Sequence, residues 1–239
     1  MSHLYIIATP IGNLEDITLR ALRLLGEVDL IFSEDTRVTR KLLDRYGIKT
    51  PMERLDAKVE AKNPEKVLDL LQAGKNIALV TDAGTPGISD PGSILIRKLK
   101  SLLLFKLKNE KPVNFSHNEL INLISVPGPS SLSASLSVSG LKESHFEFLG
   151  FLPHKKGRET LFKKISESKT PVAFFESPHR LMKTLNSLNK HLGKNKKVQV
   201  FRELTKIHEE TIEGSASEIL EYFLNNPDKV KGEIVFIIS

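Results

Sequence analysis

A chain of 239 residues can hold one large or two small domains, and its 40% hydrophobic and 27% charged content is ordinary for a soluble protein. The absence of cysteine excludes disulfides, thiol nucleophiles and Cys-ligated zinc, and no apolar run reaches the roughly 20 residues of a membrane span. A net charge of +6 modestly favours an anionic partner without specifying one.

In chain order, Met1-Ser2-His3-Leu4 enters an apolar strand at 3–8 with no basic leader before it, as expected of a cytoplasmic protein. A helix is predicted near 18–26, a strand at 28–32, and a helix near 36–46 with Val38, Leu42, Leu43 and Tyr46 on one face. A further helix spans 64–73, with Pro64 in its first turn and Gly74 as terminator. The strand 77–80 and a helix at 93–104 follow. Lysines 98, 100, 106, 108 and 111 then bracket a surface excursion that ends at the strand 123–126. This alternation argues for a mostly parallel sheet covered by helices.

After Leu141 the pattern changes. Strands are expected at 146–151, 172–175, 198–201, 209–213 and 233–238, with helices at 158–167, 181–192 and 217–225. That is a second α/β unit with more antiparallel pairing, so the domains are read as 1–141 and 142–239.

The loop after Val80, Thr-Asp-Ala-Gly-Thr-Pro-Gly-Ile-Ser-Asp-Pro-Gly, carries the most information. An ordinary connection needs only a few residues. A long loop of Gly, Pro and carboxylates after a buried strand lets a ligand approach the backbone, at the strand end where open α/β sheets bind ligands. The strand at 3–8 runs likewise into Thr9-Pro10-Ile11-Gly12-Asn13-Leu14, the strand at 28–32 into Ser33-Glu34-Asp35-Thr36-Arg37, and the strand at 123–126 into Pro127-Gly128-Pro129-Ser130-Ser131. No Gly-x-Gly-x-x-Gly follows a strand, and no phosphate-loop or Gly-x-Ser-x-Gly motif is present. The seven histidines are scattered without a His-x-x-x-His pair, so no metal site is expected. Glu176-Ser177-Pro178-His179-Arg180 and Arg202-Glu203-Leu204-Thr205-Lys206 concentrate charge at two strand ends, and Pro153-His154-Lys155-Lys156-Gly157-Arg158 forms a basic loop. Taken singly, helix capping and surface exposure explain each of these segments as well as a ligand does.

Taken together, the blocks at 9–14, 34–37, 82–86, 127–131, 150–153, 176–180 and 202–206 resemble the ribosomal RNA small subunit methyltransferase I family of the tetrapyrrole methylase superfamily. Glu213-Gly214 stands where Arg-Gly is more usual, and the 99–120 region is longer and richer in lysine. The resemblance implies two α/β domains of the tetrapyrrole methylase type with the cofactor in the interdomain cleft. It implies a homodimer that uses S-adenosylmethionine to methylate the ribose 2′-hydroxyl of a cytidine in small-subunit ribosomal RNA, free or in the assembled 30S subunit. Pro10, Asp82, Ala83, Gly84, Thr85, Pro86, Pro127, Gly128, Ser130 and Ser131 are then expected at the cofactor, with Phe175 over its adenine.

A ribose hydroxyl is a weak acid and needs a base or a cation to stabilise the alkoxide. The catalytic candidates are Asp35, Glu176, Glu203 and Lys206. Arg37, Arg180, Arg202, Lys155 and Lys156 are the candidates for gripping RNA phosphates, since cations of this kind bind them well. Two alternatives stay open: a tetrapyrrole methyltransferase of the same superfamily, and a non-catalytic cofactor-binding RNA assembly factor.

Overall fold

The computed structural model describes residues 1–55, 65–106, 114–116, 121–142, 144–193 and 196–239. Pro64 and most of the lysine-rich excursion, residues 107–113 and 117–120, lie outside them. The chain divides into two compact units, Met1–Ser130 and Ser131–Ser239.

The first unit is a parallel sheet of β1 (Ser2–Ile7), β2 (Leu30–Ser33), β3 (Met52–Arg54), β4 (Ile77–Val80) and β5 (Ile121–Val126), in the order β3-β2-β4-β1-β5. Its helices are α1 (Leu19–Glu27), α2 (Thr36–Arg45), α3 (Glu65–Gln72) and α4 (Ser93–Lys106). Strand residues alternate between two cores. Leu4, Ile6, Phe32, Ile77 and Leu79 meet α3 and α4 through Leu68, Leu71, Leu95 and Leu99. Ile7, Ile31, Ala78 and Val80 meet α1 and α2 through Ala21, Leu25, Leu42 and Leu43. Both faces being buried, the strands read as short apolar runs rather than as alternating ones.

The order of the strands explains the placement of the helices. From β1 to β3 the chain moves one way across the sheet, and from β3 to β5 it moves back. Crossovers of one hand then put α1 and α2 on one face and α3 and α4 on the other. Adjacent β1 and β4 therefore send their outgoing chains to opposite faces, which opens a crevice at their carboxyl ends.

The second unit contains α5 (Ser131–Val138), α6 (Arg158–Glu167), α7 (Pro178–His191) and α8 (Ala216–Asn225). Its strands are β6 (Glu147–Phe151), β7 (Val172–Glu176), β8 (Val198–Arg202), β9 (Glu210–Gly214) and β10 (Ile234–Ile238), in the order β6-β7-β10-β8-β9. Only β6 and β7 are parallel; the other pairs are antiparallel. Phe162, Leu185 and Phe223 from α6, α7 and α8 pack on Phe174, Val200 and Phe236, on one face of the sheet.

Three differences from the sequence reading have physical causes. The division falls after Ser130 rather than near 141, because α5 packs on β10 and the Ser139 carbonyl accepts a hydrogen bond from Gln199 Nε2 at 2.8 Å. Helix α7 starts at Pro178, three residues before the expected start, with proline in its first turn where the missing N–H costs nothing. Strand β3 was not foreseen; it is a three-residue edge with no apolar run.

Phe174 is fully buried and stacks on Phe236 at 4.9 Å. Phe174→Ala should cost about 3–5 kcal/mol of stability, read as a lower urea midpoint for the second unit's transition.

Candidate active site

Four loops fuse where the parallel strands end. Thr9 and Gly84 exchange backbone hydrogen bonds, Thr9 N to Gly84 O at 2.9 Å and Gly84 N to Thr9 O at 3.0 Å. The Thr9 hydroxyl donates to the Thr81 carbonyl at 3.0 Å, and that of Thr85 to the Pro129 carbonyl at 3.4 Å. The Asp35 N–H donates to Asp82 Oδ1 at 2.9 Å. Gly84 holds a φ of +78°, which a larger residue would strain to adopt. A Cβ on Gly128 would lie 3.1 Å from the Ala8 Cβ, so these two backbones touch. Pro10, Asp82, Ala83, Gly84, Thr85, Pro86, Pro127, Gly128 and Ser130 thus share one continuous backbone surface. Ser131 opens α5 in the second unit.

Asp82 is the unusual charge on this surface. It accepts the Asp35 N–H, and no ion pair to it is found among the described residues. Burial raises its pKa, the nearby Asp35 carboxylate adds to the shift, and Arg37 and Arg54 oppose it. A half-buried carboxylate without a cation is suited to a ligand that brings positive charge.

Asp35 has the opposite character. It caps α2 by accepting the Arg37 N–H at 2.9 Å, and its carboxylate holds the Arg37 side chain. These bonds push its pKa far below the usual carboxylate range. Both carboxylate oxygens are taken up by Arg37, so the expectation of Asp35 as a base gives way to a capping and holding role. Arg37 is exposed and already paired with it.

In the second unit, the structure turns three expected surface charges inward. Glu176 is 2% exposed and ion-paired to Arg180 at 2.5 Å and to Arg158 at 3.4 Å. It also accepts the Ser177 N–H and the Thr184 hydroxyl. Arg180 Nη1 donates to the Leu152 carbonyl at 2.7 Å, and Arg158 Nη1 to that of Pro153 at 3.0 Å. A carboxylate so enclosed is a loop anchor, not a base, and Arg180 serves it rather than a phosphate. Arg202, 4% exposed, is spent on Glu210 Oε2 at 3.1 Å and the His208 carbonyl at 3.2 Å, so it is no phosphate grip either. The sequence reading missed Arg158, Thr184 and Glu210 as partners. Only Glu210 left a signal, as the cross-strand neighbour of Arg202.

The turn after β8 keeps its candidates. Glu203 and Thr205 have φ values of +53° and +67°, rare for residues with side chains. Lys206 Nζ bonds Glu203 Oε1 at 2.8 Å and lies 3.3 Å from Glu233, and Glu203 also accepts the Glu233 N–H at 3.0 Å. Burial would raise the Glu203 pKa, but Lys206 and the Glu233 N–H lower it on balance. Burial would lower that of Lys206, but Glu203 and Glu233 raise it, so this lysine stays an ammonium. This web of contacts holds the two unusual φ values in place. Lys155 and Lys156 are exposed, and Phe175 is half-buried, edge-on to Phe148 and Phe151.

Comparison with known proteins agrees with this architecture. Residues 3–103 and 114–220 match the family model of the Tetrapyrrole (Corrin/Porphyrin) Methylases. The ribosomal RNA small subunit methyltransferase I of Thermotoga maritima is 41% identical over 239 residues, covering 100% of this chain and 99% of its own. That of Rickettsia prowazekii is 41% identical, over 100% of this chain and 78% of its own. Among solved structures, the methyltransferase CobJ superposes with a TM-score of 0.67 at 16% identity, covering 100% of this chain and 93% of its own. The uroporphyrin-III C-methyltransferase of Thermus thermophilus, complexed with S-adenyl homocysteine, gives 0.62 at 18%, covering 99% and 97%. These two show a shared fold.

Because burial raises the Asp82 pKa in the folded state, its contribution to stability is fully present below the unfolded value of about 4 and is lost as pH rises through the folded one. Asp82→Asn keeps an acceptor for the Asp35 N–H and removes the charge. Ligand-free, the variant should melt at or above the wild-type temperature at pH 7, with the gap shrinking toward pH 4 in parallel thermal scans.

Proposed function

We infer the function of this chain from its family and its site: it belongs to the ribosomal RNA small subunit methyltransferase I family, within the tetrapyrrole methylases. It transfers a methyl group from S-adenosylmethionine to the ribose 2′-hydroxyl of a cytidine in small-subunit ribosomal RNA. The observation that carries this reading is the fused loop surface around Gly84, with a half-buried carboxylate that forms no ion pair among the described residues. The same reading includes a symmetric homodimer, a cytoplasmic setting, and the free RNA or assembled small subunit as substrate. The tetrapyrrole alternative has the superfamily model and a likeness of fold at 16% and 18% identity behind it, against 41% identity over the full chain to a ribosomal RNA methyltransferase.

The residues fit such a cofactor. With no side chain at Gly84 or Gly128, the loops present bare backbone against which its amino-acid end would lie, and Asp82 balances positive charge. The cofactor supplies an electrophilic methyl on a sulfonium. The protein has to hold the acceptor oxygen in line with it, about 3 Å away. Lys206, kept protonated by Glu203 and Glu233, stabilises negative charge growing on the ribose oxygen. Glu203 would take the hydroxyl proton ahead of the new O–C bond, and the bond from the methyl to sulfur would break as that bond forms, leaving a neutral thioether.

Replacing the target nucleotide by its 2′-deoxy analogue should abolish transfer of labelled methyl; methyl reaching the deoxy substrate would refute the ribose assignment. Asp82→Asn should weaken S-adenosylmethionine binding at least tenfold by calorimetry, about 1.4 kcal/mol. Lys206→Met should lower kcat by roughly 10²-fold or more, with cofactor affinity retained.

A further inference from the structure

Strand β6 is a sheet edge with one residue too many. Phe148 pairs with Ala173 and Phe151 with Phe175, so three steps along β6 match two along β7. Strict alternation would put Phe148 and Phe151 on opposite faces. The bulge, at Gly150 with a φ of +60°, turns Phe151 back to the face of Phe148. Both rings then meet Phe175 edge-on, at 4.9 Å and 5.5 Å. Phe174 and Glu176 point to the other face, where the helices pack.

Phe151 remains 53% exposed. Its support is firm, because the next two carbonyls, Leu152 and Pro153, accept hydrogen bonds from the half-buried Arg180 and the buried Arg158. Directly beyond lie exposed Lys155 and Lys156, which form no ion pair among the described residues. From Phe148 to Arg158 there is no carboxylate. A rigid exposed ring beside free lysines is the arrangement that binds unpaired nucleotides, by stacking and phosphate contact. A second copy docking here about a two-fold axis would set this positive loop against itself. The bulge also spoils the edge for addition of a strand.

We propose that Phe151 stacks on an unpaired base of the RNA substrate, while Lys155 and Lys156 hold the flanking phosphates. The proposal rests on the RNA-methylating reading and adds to it a site for a base.

The chain has no tryptophan, so Phe151→Trp installs a single indole reporter. Titration with purified small-subunit ribosomal RNA should quench its emission, at an affinity close to wild type. Phe151→Leu, equally apolar but unable to stack, should bind that RNA about tenfold to a hundredfold more weakly, with S-adenosylmethionine affinity and salt slope unchanged. Lys155→Ala and Lys156→Ala should each flatten the salt slope by about one. Wild-type affinity in Phe151→Leu, or an indole unmoved when RNA is bound, would overturn the proposal. So would a change of mass in Phe151→Leu by light scattering, which would assign the ring to self-association. A wild-type chain that binds neither this RNA nor the assembled small subunit would bring down the functional reading as well, and the wild-type titrations separate the two failures.

Discussion

Two reciprocal hydrogen bonds between Thr9 and Gly84 join backbones that leave neighbouring strands for opposite faces of the sheet. The reversal of strand order pulls the two chains apart, and this bridge holds them together at the mouth of the crevice. The side chains follow from it. Asp82 lies two residues before the bridge, and Pro129 on the adjoining loop is tied to Thr85 just after it. A positive φ at Gly84 is what lets the chain turn there, so the glycine's permissiveness and the site's shape are one fact seen at two scales.

The second unit solves a different problem, which is how to hold a long basic loop in one place. Burying Glu176 costs desolvation that two arginines and Thr184 must offset. Both guanidiniums reach past the carboxylate to the carbonyls of 152 and 153. The network's value therefore lies less in stability than in fixing the loop's path. Isolated surface ion pairs are worth little, and a loop held by them alone would wander.

Much of the fold was legible because buried parallel strands appear as apolar runs and their helices as striped ones. β4 was read to the residue, and α6 likewise. β3 was invisible because Met52-Glu53-Arg54 has neither run nor alternation. The joined loops after β1, β4 and β5 were legible for a physical reason: Gly and Pro announce backbone geometry directly. Charged residues do not. Nothing in Glu176-Ser177-Pro178-His179-Arg180 says that the Glu and the Arg fold onto each other, and Arg202 reads as exposed until its cross-strand Glu210 is seen. Direction along a strand can be inferred from pattern, but the partner of a charge is a tertiary fact. Gly150 hid in the same way, because a bulge shows only against the neighbouring strand.

The charges divide by whether their partners are internal. Glu176, Arg180, Arg158 and Arg202 find their ion-pair partners within their own unit, and each shapes a loop or turn. Among the described residues, neither Asp82 nor Lys155 nor Lys156 forms an ion pair. A fold selected for stability alone would neutralise a half-buried carboxylate or place it in water, since the desolvated charge disfavours the ligand-free state. Its persistence makes sense if a cation arrives with the ligand. The strain at Glu203 and Thr205 follows the same logic, being held by Lys206 and Glu233 although an unstrained turn would be more stable. In this chain the groups that weaken the empty protein are the ones that point to its chemistry, and the paired charges around them keep their positions fixed.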